Sequence, residues 1–385
     1  MKIAHVIPTL DPRWGGPVSA LLGFTSALRQ ADTEITVVAS PRAEEECDSV
    51  LDQLRQQGIQ TVLIQPCRGP LRSHPQLKQR LEQELQNADV VHIHGVWESI
   101  QHFSAMICRK QGIPYILRPC GMLSRYCIGQ KRLKKWIYSA LRLKRMIKGS
   151  DALHLTSPFE HRQLPAYARH KKDIVEPIGI DRPPISPADR SNFRKQYGVR
   201  DGQTLFTYLG RLNPIKGLDV LIEAFSQIAG DDSSRLAICG PSSDQYETQL
   251  RSLVRQFGLE DKVIFTGMLD REAVWAAMNA ADVFVLPSHH ENFGISALEA
   301  IACETPVILS DQVGLGSYLE NQGVGVVTPV RARDLAAAMR TMICQPEERT
   351  RLADNCRQLT KKRFAWDQIA LRWVRHYDNL CAVAR

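Results

Sequence analysis

Two carboxylates eight residues apart, Glu291 and Glu299, have the types and spacing to work on a hydroxyl-rich substrate. They lie in the stretch His289-His290-Glu291-Asn292-Phe293-Gly294-Ile295-Ser296-Ala297-Leu298-Glu299-Ala300. An apolar run, Val283 to Pro287, precedes it, and a helix-like segment, Ile295 to Cys303, follows. This order predicts one acid on the loop after a strand and the other in a helix's opening turns. Between them, Phe293-Gly294-Ile295 would present backbone N–H groups at the helix N-terminus, an end that attracts anions and phosphate above all. Two hydroxyl-binding acids around a phosphate seat suit a nucleotide-activated sugar.

Cations that could hold a diphosphate occur earlier. Gly210-Arg211-Leu212-Asn213-Pro214-Ile215-Lys216-Gly217 follows a strand pattern at Leu205–Leu209 and precedes a helical run from Leu218 to Ala229. Arg211 and Lys216 would project from this loop with little to pair them locally. There they could neutralise a diphosphate as it leaves, Arg as a planar fork and Lys as a mobile point charge. By itself the loop reads equally as a solvated turn with two surface cations. Its conjunction with the 291–299 stretch favours a site.

Weaker signals follow strand ends in the first half. Trp14-Gly15-Gly16-Pro17 comes soon after the first strand, and its glycines let backbone approach a ligand closely. His92 and His94 share one face of the strand Val90–His94. The expectation is that His94 faces a ligand at the strand end and that His92 is a satisfied core histidine. Trp97 would wall a sugar or acceptor pocket, or simply belong to the core. Arg118, ending the fifth strand, would contact the acceptor or pair with a nearby acid. The histidine pair lacks Cys, Asp or Glu partners at ligand spacing, and no Asp-x-Asp motif occurs. No metal and no other cofactor is therefore expected.

The elements that must position these residues alternate. Strand patterns fall at Ile3–Ile7, Ile35–Ala39, Val62–Ile64, Val90–His94, Tyr115–Leu117 and Ala152–Thr156. A second series falls at Leu205–Leu209, Leu236–Cys239, Val263–Thr266, Val283–Leu286, Val307–Leu309 and Gly325–Val327. Helical segments lie between most of them, which predicts parallel sheets covered on both faces. The alternation occurs twice in 385 residues, a length suited to two domains. The expected fold is therefore α/β with two doubly wound, Rossmann-like domains, 1–180 and 181–365, facing across a cleft. The boundary lies in the turn-rich stretch Pro177 to Pro187. A last helical pattern, 366–385, would pack back on the first domain. Ligands of such sheets bind beyond the C-terminal strand ends, where all the motifs above fall.

Composition bounds the function. The chain is 44% hydrophobic and 23% charged, as soluble globular proteins are, and no apolar run is long enough to span a membrane. Met1 to Pro8 reads as a strand rather than a targeting segment. Ten scattered cysteines show no metal or redox spacing and read as reduced thiols of a cytoplasmic protein. The net charge of +8 is local: residues 1–180 carry 25 Lys and Arg against 16 Asp and Glu. Residues 131–148 hold eight basic side chains and no acid, with apolar positions 133, 136, 137, 140, 141, 143 and 147 at helical spacing. Such a helix could lie on an anionic membrane surface, placing the protein peripherally on the inner face of the cytoplasmic membrane. Equally it could bury its apolar stripe in the domain core and leave only a solvated basic face. Aromatic–basic interleaving is sparse, so no nucleic-acid partner is expected.

These motifs give the chain a family likeness. It resembles the retaining glycosyltransferases of the two-domain GT-B type, specifically glycosyltransferase family four. Gly-Arg-Leu-x-x-x-Lys-Gly at 210–217 and Glu-x7-Glu at 291–299 carry the likeness; Gly15-Gly16, His94 and Gly179-Ile180-Asp181 support it. The resemblance covers essentially the whole chain. It implies that Glu299 holds the ribose hydroxyls and Glu291 the hydroxyls of the donor sugar. The backbone at Phe293, Gly294 and Ile295, with Arg211 and Lys216, would hold the diphosphate. Gly16 would line the phosphate from the first domain, and His94 would touch the sugar near the reacting carbon. It further implies transfer with retained anomeric configuration and without a protein nucleophile. Where the family usually carries Asn before Gly179, this chain has Ile178. The region Arg118 to Trp136 looks like a subgroup that builds bacterial surface polysaccharides. The partners implied are a nucleotide-sugar donor and a glycan or lipid-linked acceptor. Other readings are a GT-B nucleotide-sugar epimerase or phosphorylase, or a basic non-enzyme that binds membrane or nucleic acid.

Overall fold

Runs of β-branched and aromatic residues form two series of short strands. The first is β1 (Lys2–Ile7), β2 (Glu34–Ala39), β3 (Gln60–Leu63), β4 (Val90–His94), β5 (Tyr115–Arg118), β6 (Ala152–Leu155) and β7 (Ile174–Val175). The second is β8 (Thr204–Leu209), β9 (Ser234–Cys239), β10 (Val263–Gly267), β11 (Val283–Leu286), β12 (Val307–Ser310) and β13 (Gly325–Thr328). This is a computed structural model, and it describes residues 1–384 apart from 170, 171, 184, 185, 231, 320 and 321. Pro184 and Ile185 of the expected boundary stretch thus lie outside the described residues.

The strands make two sheets, ordered β3-β2-β1-β4-β5-β6-β7 and β10-β9-β8-β11-β12-β13, with parallel pairing throughout. In each, the order reverses beside the first strand of the series, the mark of a doubly wound α/β unit. Helices cover both faces, so central strands such as β4 and β11 are buried at every residue. Met1–Gly179 with Phe364–Arg385 form one compact unit, and Ile180–Arg363 form the other.

The last helix, Trp366–Ala384, packs on the helix Gly16–Gln30 in the first unit. Its Trp366 ring lies where two glycines leave room. A Cβ on Gly23 would come within 2.3 Å of the indole, and one on Gly179 within 2.4 Å. Trp373 and Tyr377 continue the same face into the core, where both are fully buried.

The segment 131–148 departs from the single amphipathic helix expected. It is an α-helix at Arg132–Tyr138, a π-helical turn at Ser139–Leu143 and a second α-helix at Lys144–Gly149. A π-turn inserts one extra residue and rotates everything after it by roughly one helical position. The apolar stripe is therefore split. Leu143, Met146 and Ile147 enter the core, whereas Leu133, Trp136, Ile137 and Leu141 face outward, Leu133 and Trp136 at 71% and 69% exposure. A wholly buried stripe is excluded. The two-residue β7 was not anticipated either.

Candidate active site

In the second unit the loop after β8 is built by its glycines and asparagine. Asn213 Oδ1 accepts from the Ile215 N–H at 3.1 Å and starts a single 3-10 turn, Pro214–Lys216. Gly217 ends the turn in the left-handed region (φ 67°), where a Cβ would sit 2.3 Å from the Pro287 carbonyl oxygen. Only glycine fits both demands. The close approach docks the loop onto the end of β11, and the His289 N–H donates to the Ile215 carbonyl at 2.8 Å.

That docking overturns one expectation. Lys216 is not unpaired: its Nζ donates to Glu291 Oε2, and both side chains are largely shielded from solvent. Arg211 is exposed and makes no ion pair among the described residues. Glu291 is held by backbone as well. Its N–H donates to the Gln312 carbonyl at 3.0 Å, and its carbonyl accepts from the Gly314 N–H at 3.0 Å. Phe293, buried, takes the Leu315 N–H on its carbonyl at 2.7 Å. Gly294 (φ 98°) then starts the helix Ile295–Ala302. Ala297 and Leu298 donate their N–H groups to the Gly294 carbonyl at 3.1 Å each, which leaves the Ile295 and Ser296 N–H groups as the anion-facing pair at the helix start.

Glu299 is the fifth residue of this helix and is mostly enclosed. Burial pushes its carboxyl up to about 7, against an attraction from Arg271. A carboxylate so placed gains most from a ligand that brings hydroxyl donors.

Two tyrosines complete the surroundings, and sequence reasoning passed over both. The Tyr208 hydroxyl donates to the Arg211 carbonyl at 3.1 Å and props the cationic loop. Burial, then the nearby Glu291 charge, raises its pKa. The Tyr246 hydroxyl has no hydrogen-bond partner among the described residues, and burial pushes it up to about 12. Tyr208 reads in sequence as one more strand residue, and Tyr246 stands 35 residues past Arg211.

In the first unit, Gly16 is the first residue of the helix Gly16–Gln30, just past β1. His94 ends β4 and is buried. It belongs to a four-histidine cluster with His5, His92 and His154. His94 Nε2 and His5 Nδ1 share a hydrogen bond of 3.0 Å. His92 is the satisfied core residue expected, joined to Tyr377 at 2.7 Å and His154 at 3.1 Å. Burial is the largest cause of lowered pKa in all four; His5 falls to about 3. Trp97 is half-buried, edge-on to Tyr138 at 5.6 Å, with Lys135 Nζ 5.1 Å above its ring. Arg118 is buried at the end of β5. Among the described residues no three His, Cys, Asp or Glu side chains are grouped to hold a metal ion. No described helix is long and apolar enough to cross a membrane.

Comparison with known proteins places this geometry. The model of the glycosyl transferases group 1 matches residues 189–359, and that of the glycosyl transferase 4-like domain matches residues 15–176. The chain belongs to this glycosyltransferase family. Its two units have the GT-B fold. HepE from Anabaena, solved in complex with UDP and glucose, superposes with a TM-score of 0.79 at 21% identity over 98% of this chain and 99% of that one. WaaG, a glycosyltransferase involved in lipopolysaccharide biosynthesis, superposes with a TM-score of 0.69 at 18% identity over 98% and 99%. In sequence the chain is 33% identical to the D-inositol 3-phosphate glycosyltransferase of Geodermatophilus obscurus over 215 residues, 53% of this chain and 48% of that protein. It is 31% identical to an uncharacterized glycosyltransferase of Methanocaldococcus jannaschii over 50% of this chain and 49% of that protein. The chain thus spans about half the length of the curated relatives it matches.

Proposed function

We propose that this protein is a retaining glycosyltransferase, moving a sugar from a nucleoside-diphosphate donor to a glycan or lipid-linked saccharide in cell-surface polysaccharide biosynthesis. The observation that carries the reading is the convergence at one sheet end of Lys216, Glu291 and the helix Ile295–Ala302 with its enclosed Glu299. Glu299 accepts from the ribose hydroxyls, and Glu291 accepts from hydroxyls of the sugar. Arg211, Lys216 and the helix N-terminus take the diphosphate charge that grows as the glycosidic bond breaks. The paired Glu291 keeps Lys216 in place before the donor arrives, which limits the reorganisation needed during reaction. With cations and backbone N–H groups on the leaving group, the reading requires no metal. The UDP and glucose in the HepE complex support a nucleotide-sugar donor.

The acceptor in this reading is membrane-associated. Leu133, Trp136, Ile137 and Leu141 stand outward among the eight cations of 131–148, the arrangement of an interfacial anchor on an anionic leaflet. This would hold a cytoplasmic protein at the inner face of the cytoplasmic membrane, with Trp97 and Arg118 on the acceptor side. The test of the catalytic reading is Glu291→Ala and Lys216→Ala. Each is expected to lower kcat/KM by about 10²–10³-fold, as loss of a charge-stabilising group does. Near-normal turnover in both variants overturns the site.

A further inference from the structure

Arg118 is a charge without a counter-charge. It is 3% exposed, its Nε is fully enclosed, and its side chain makes no hydrogen bond or ion pair among the described residues. The surrounding turn is well built, so the vacancy is not looseness. The Arg118 carbonyl accepts from the Gly95 N–H at 2.9 Å. Cys120 and Gly121 follow in the left-handed region, φ 53° and 76°. A buried acid, Glu160, clamps the turn, but its carboxylate is already used. Oε1 accepts from the Gly121 N–H at 2.7 Å; Oε2 accepts from the Thr156 N–H at 2.7 Å and from its hydroxyl at 2.8 Å.

The neighbouring histidines are unfinished as well. His5 Nε2 and His94 Nδ1 are buried and lack partners among the described residues, and the Arg118 charge contributes to their lowered pKa values. Both rings are neutral and share one proton-mediated bond. If His5 donates in that bond, the outer His94 Nδ1 carries a hydrogen; if His94 donates, the outer His5 Nε2 carries it. In either tautomer the pair offers one N–H donor beyond itself. A ligand with an acceptor oxygen selects which.

Leaving a buried guanidinium unpaired is costly, and a well-placed, hydrogen-bonded anion offsets that cost. Arg118 stands at the C-terminal end of a parallel strand, where ligands of such sheets bind. We infer that Arg118 seats an oxyanion, a carboxylate or phosphate carried by the acceptor, with the His5–His94 pair as an adjustable second donor. The forked guanidinium matches either anion through two parallel bonds. The inference rests on the transferase reading for the word acceptor. The donor diphosphate has Arg211, Lys216 and a helix N-terminus in the second unit, so Arg118 serves a separate anion.

The experiment is thermal unfolding of the full chain as wild type, Arg118→Met and Lys216→Ala, without additive and with millimolar inorganic phosphate or glucuronate. Without additive, Arg118→Met should melt above wild type, because an apolar side chain of similar length replaces an unpaired charge. An anion should raise the midpoint of wild type and Lys216→Ala alike, by about 2 °C or more, and leave Arg118→Met unmoved. A response to phosphate alone, or to glucuronate alone, names the anion the acceptor carries. The inference is overturned if Arg118→Met melts below wild type. It is equally overturned if neither anion shifts wild type, or if the shift survives in Arg118→Met or disappears in Lys216→Ala. Nucleoside diphosphates run alongside keep the two claims apart. A nucleotide shift retained in Arg118→Met leaves the donor site intact whatever the anions do. Its absence from wild type removes the donor reading without touching Arg118.

Discussion

Lowering the pH from 7.5 to 5.5 should destabilise the first unit, and the four-histidine cluster sets the magnitude. The hydrogen bonds determine the protons. The Glu176 carbonyl can only accept, so His154 Nε2 donates to it at 3.0 Å. His154 Nδ1 must then accept from His92 Nε2–H, and His92 Nδ1 must accept from the Tyr377 hydroxyl. An added proton on His154 would set two donors head to head. His5, His92, His94 and His154 are all lowered from 6.5, mainly by burial. Because the folded values lie below the unfolded one, the stabilisation is complete above pH 6.5 and is lost as pH falls below it. At pH 5.5 the unfolded chain gains about 1.4 kcal/mol per histidine, about 6 kcal/mol for four. Glu299 acts in the opposite sense through its raised pKa, but it belongs to the second unit and leaves the loss in the first unit unchanged. That loss, about 6 kcal/mol, is a large part of the 5–15 kcal/mol that folded proteins hold in total. Urea unfolding followed by tryptophan fluorescence reads it, because Trp373 lies 4.3 Å from His154, ring to ring. The reasoning is refuted if the unfolding midpoint at pH 5.5 equals that at pH 7.5.

Glu299 links donor binding to protons. Nucleotide affinity should rise as pH passes through about 7 and level off above it, and Glu299→Gln should flatten the profile; titration calorimetry at several pH values checks both. In an ordinary helix Gly→Ala stabilises by about 1 kcal/mol. Gly23→Ala should instead destabilise by about 1–3 kcal/mol, because the new methyl meets Trp366 at 2.3 Å; a Tm at or above wild type contradicts the packing. Trp136→Glu with Leu133→Glu should cut flotation with anionic vesicles at low salt by about tenfold or more while leaving nucleotide binding unchanged. Wild type that fails to float with such vesicles sinks the membrane part of the proposal.

Much of this was legible in the sequence. Strands such as β4 and β11 were read to the residue, because buried parallel strands are rich in β-branched and apolar residues, β11 without a break and β4 broken only by its two histidines. The chemistry-bearing loops were found because glycine marks where backbone must turn or approach closely, as at Gly217 and Gly294. What escaped depends on distance or on a single inserted residue. The Lys216–Glu291 pair joins positions 75 apart. The histidine cluster gathers residues from β1, β4 and β6, of which the pattern singled out only the two on β4. The π-turn at Ser139–Leu143 leaves no compositional mark, yet it decides which half of the apolar stripe faces outward.

The central claim is a nucleotide-sugar site formed by Arg211, Lys216, Glu291 and Glu299. Thermal stability of wild type and Glu299→Ala against UDP, GDP, ADP and their glucose, galactose, mannose and N-acetylglucosamine conjugates, without added metal, tests it most directly. A ligand that binds only the folded state raises the midpoint by mass action. The account predicts a clear shift with one nucleotide and its conjugates, lost in Glu299→Ala. No shift with any of them at millimolar concentration, or an equal shift in Glu299→Ala, would contradict it.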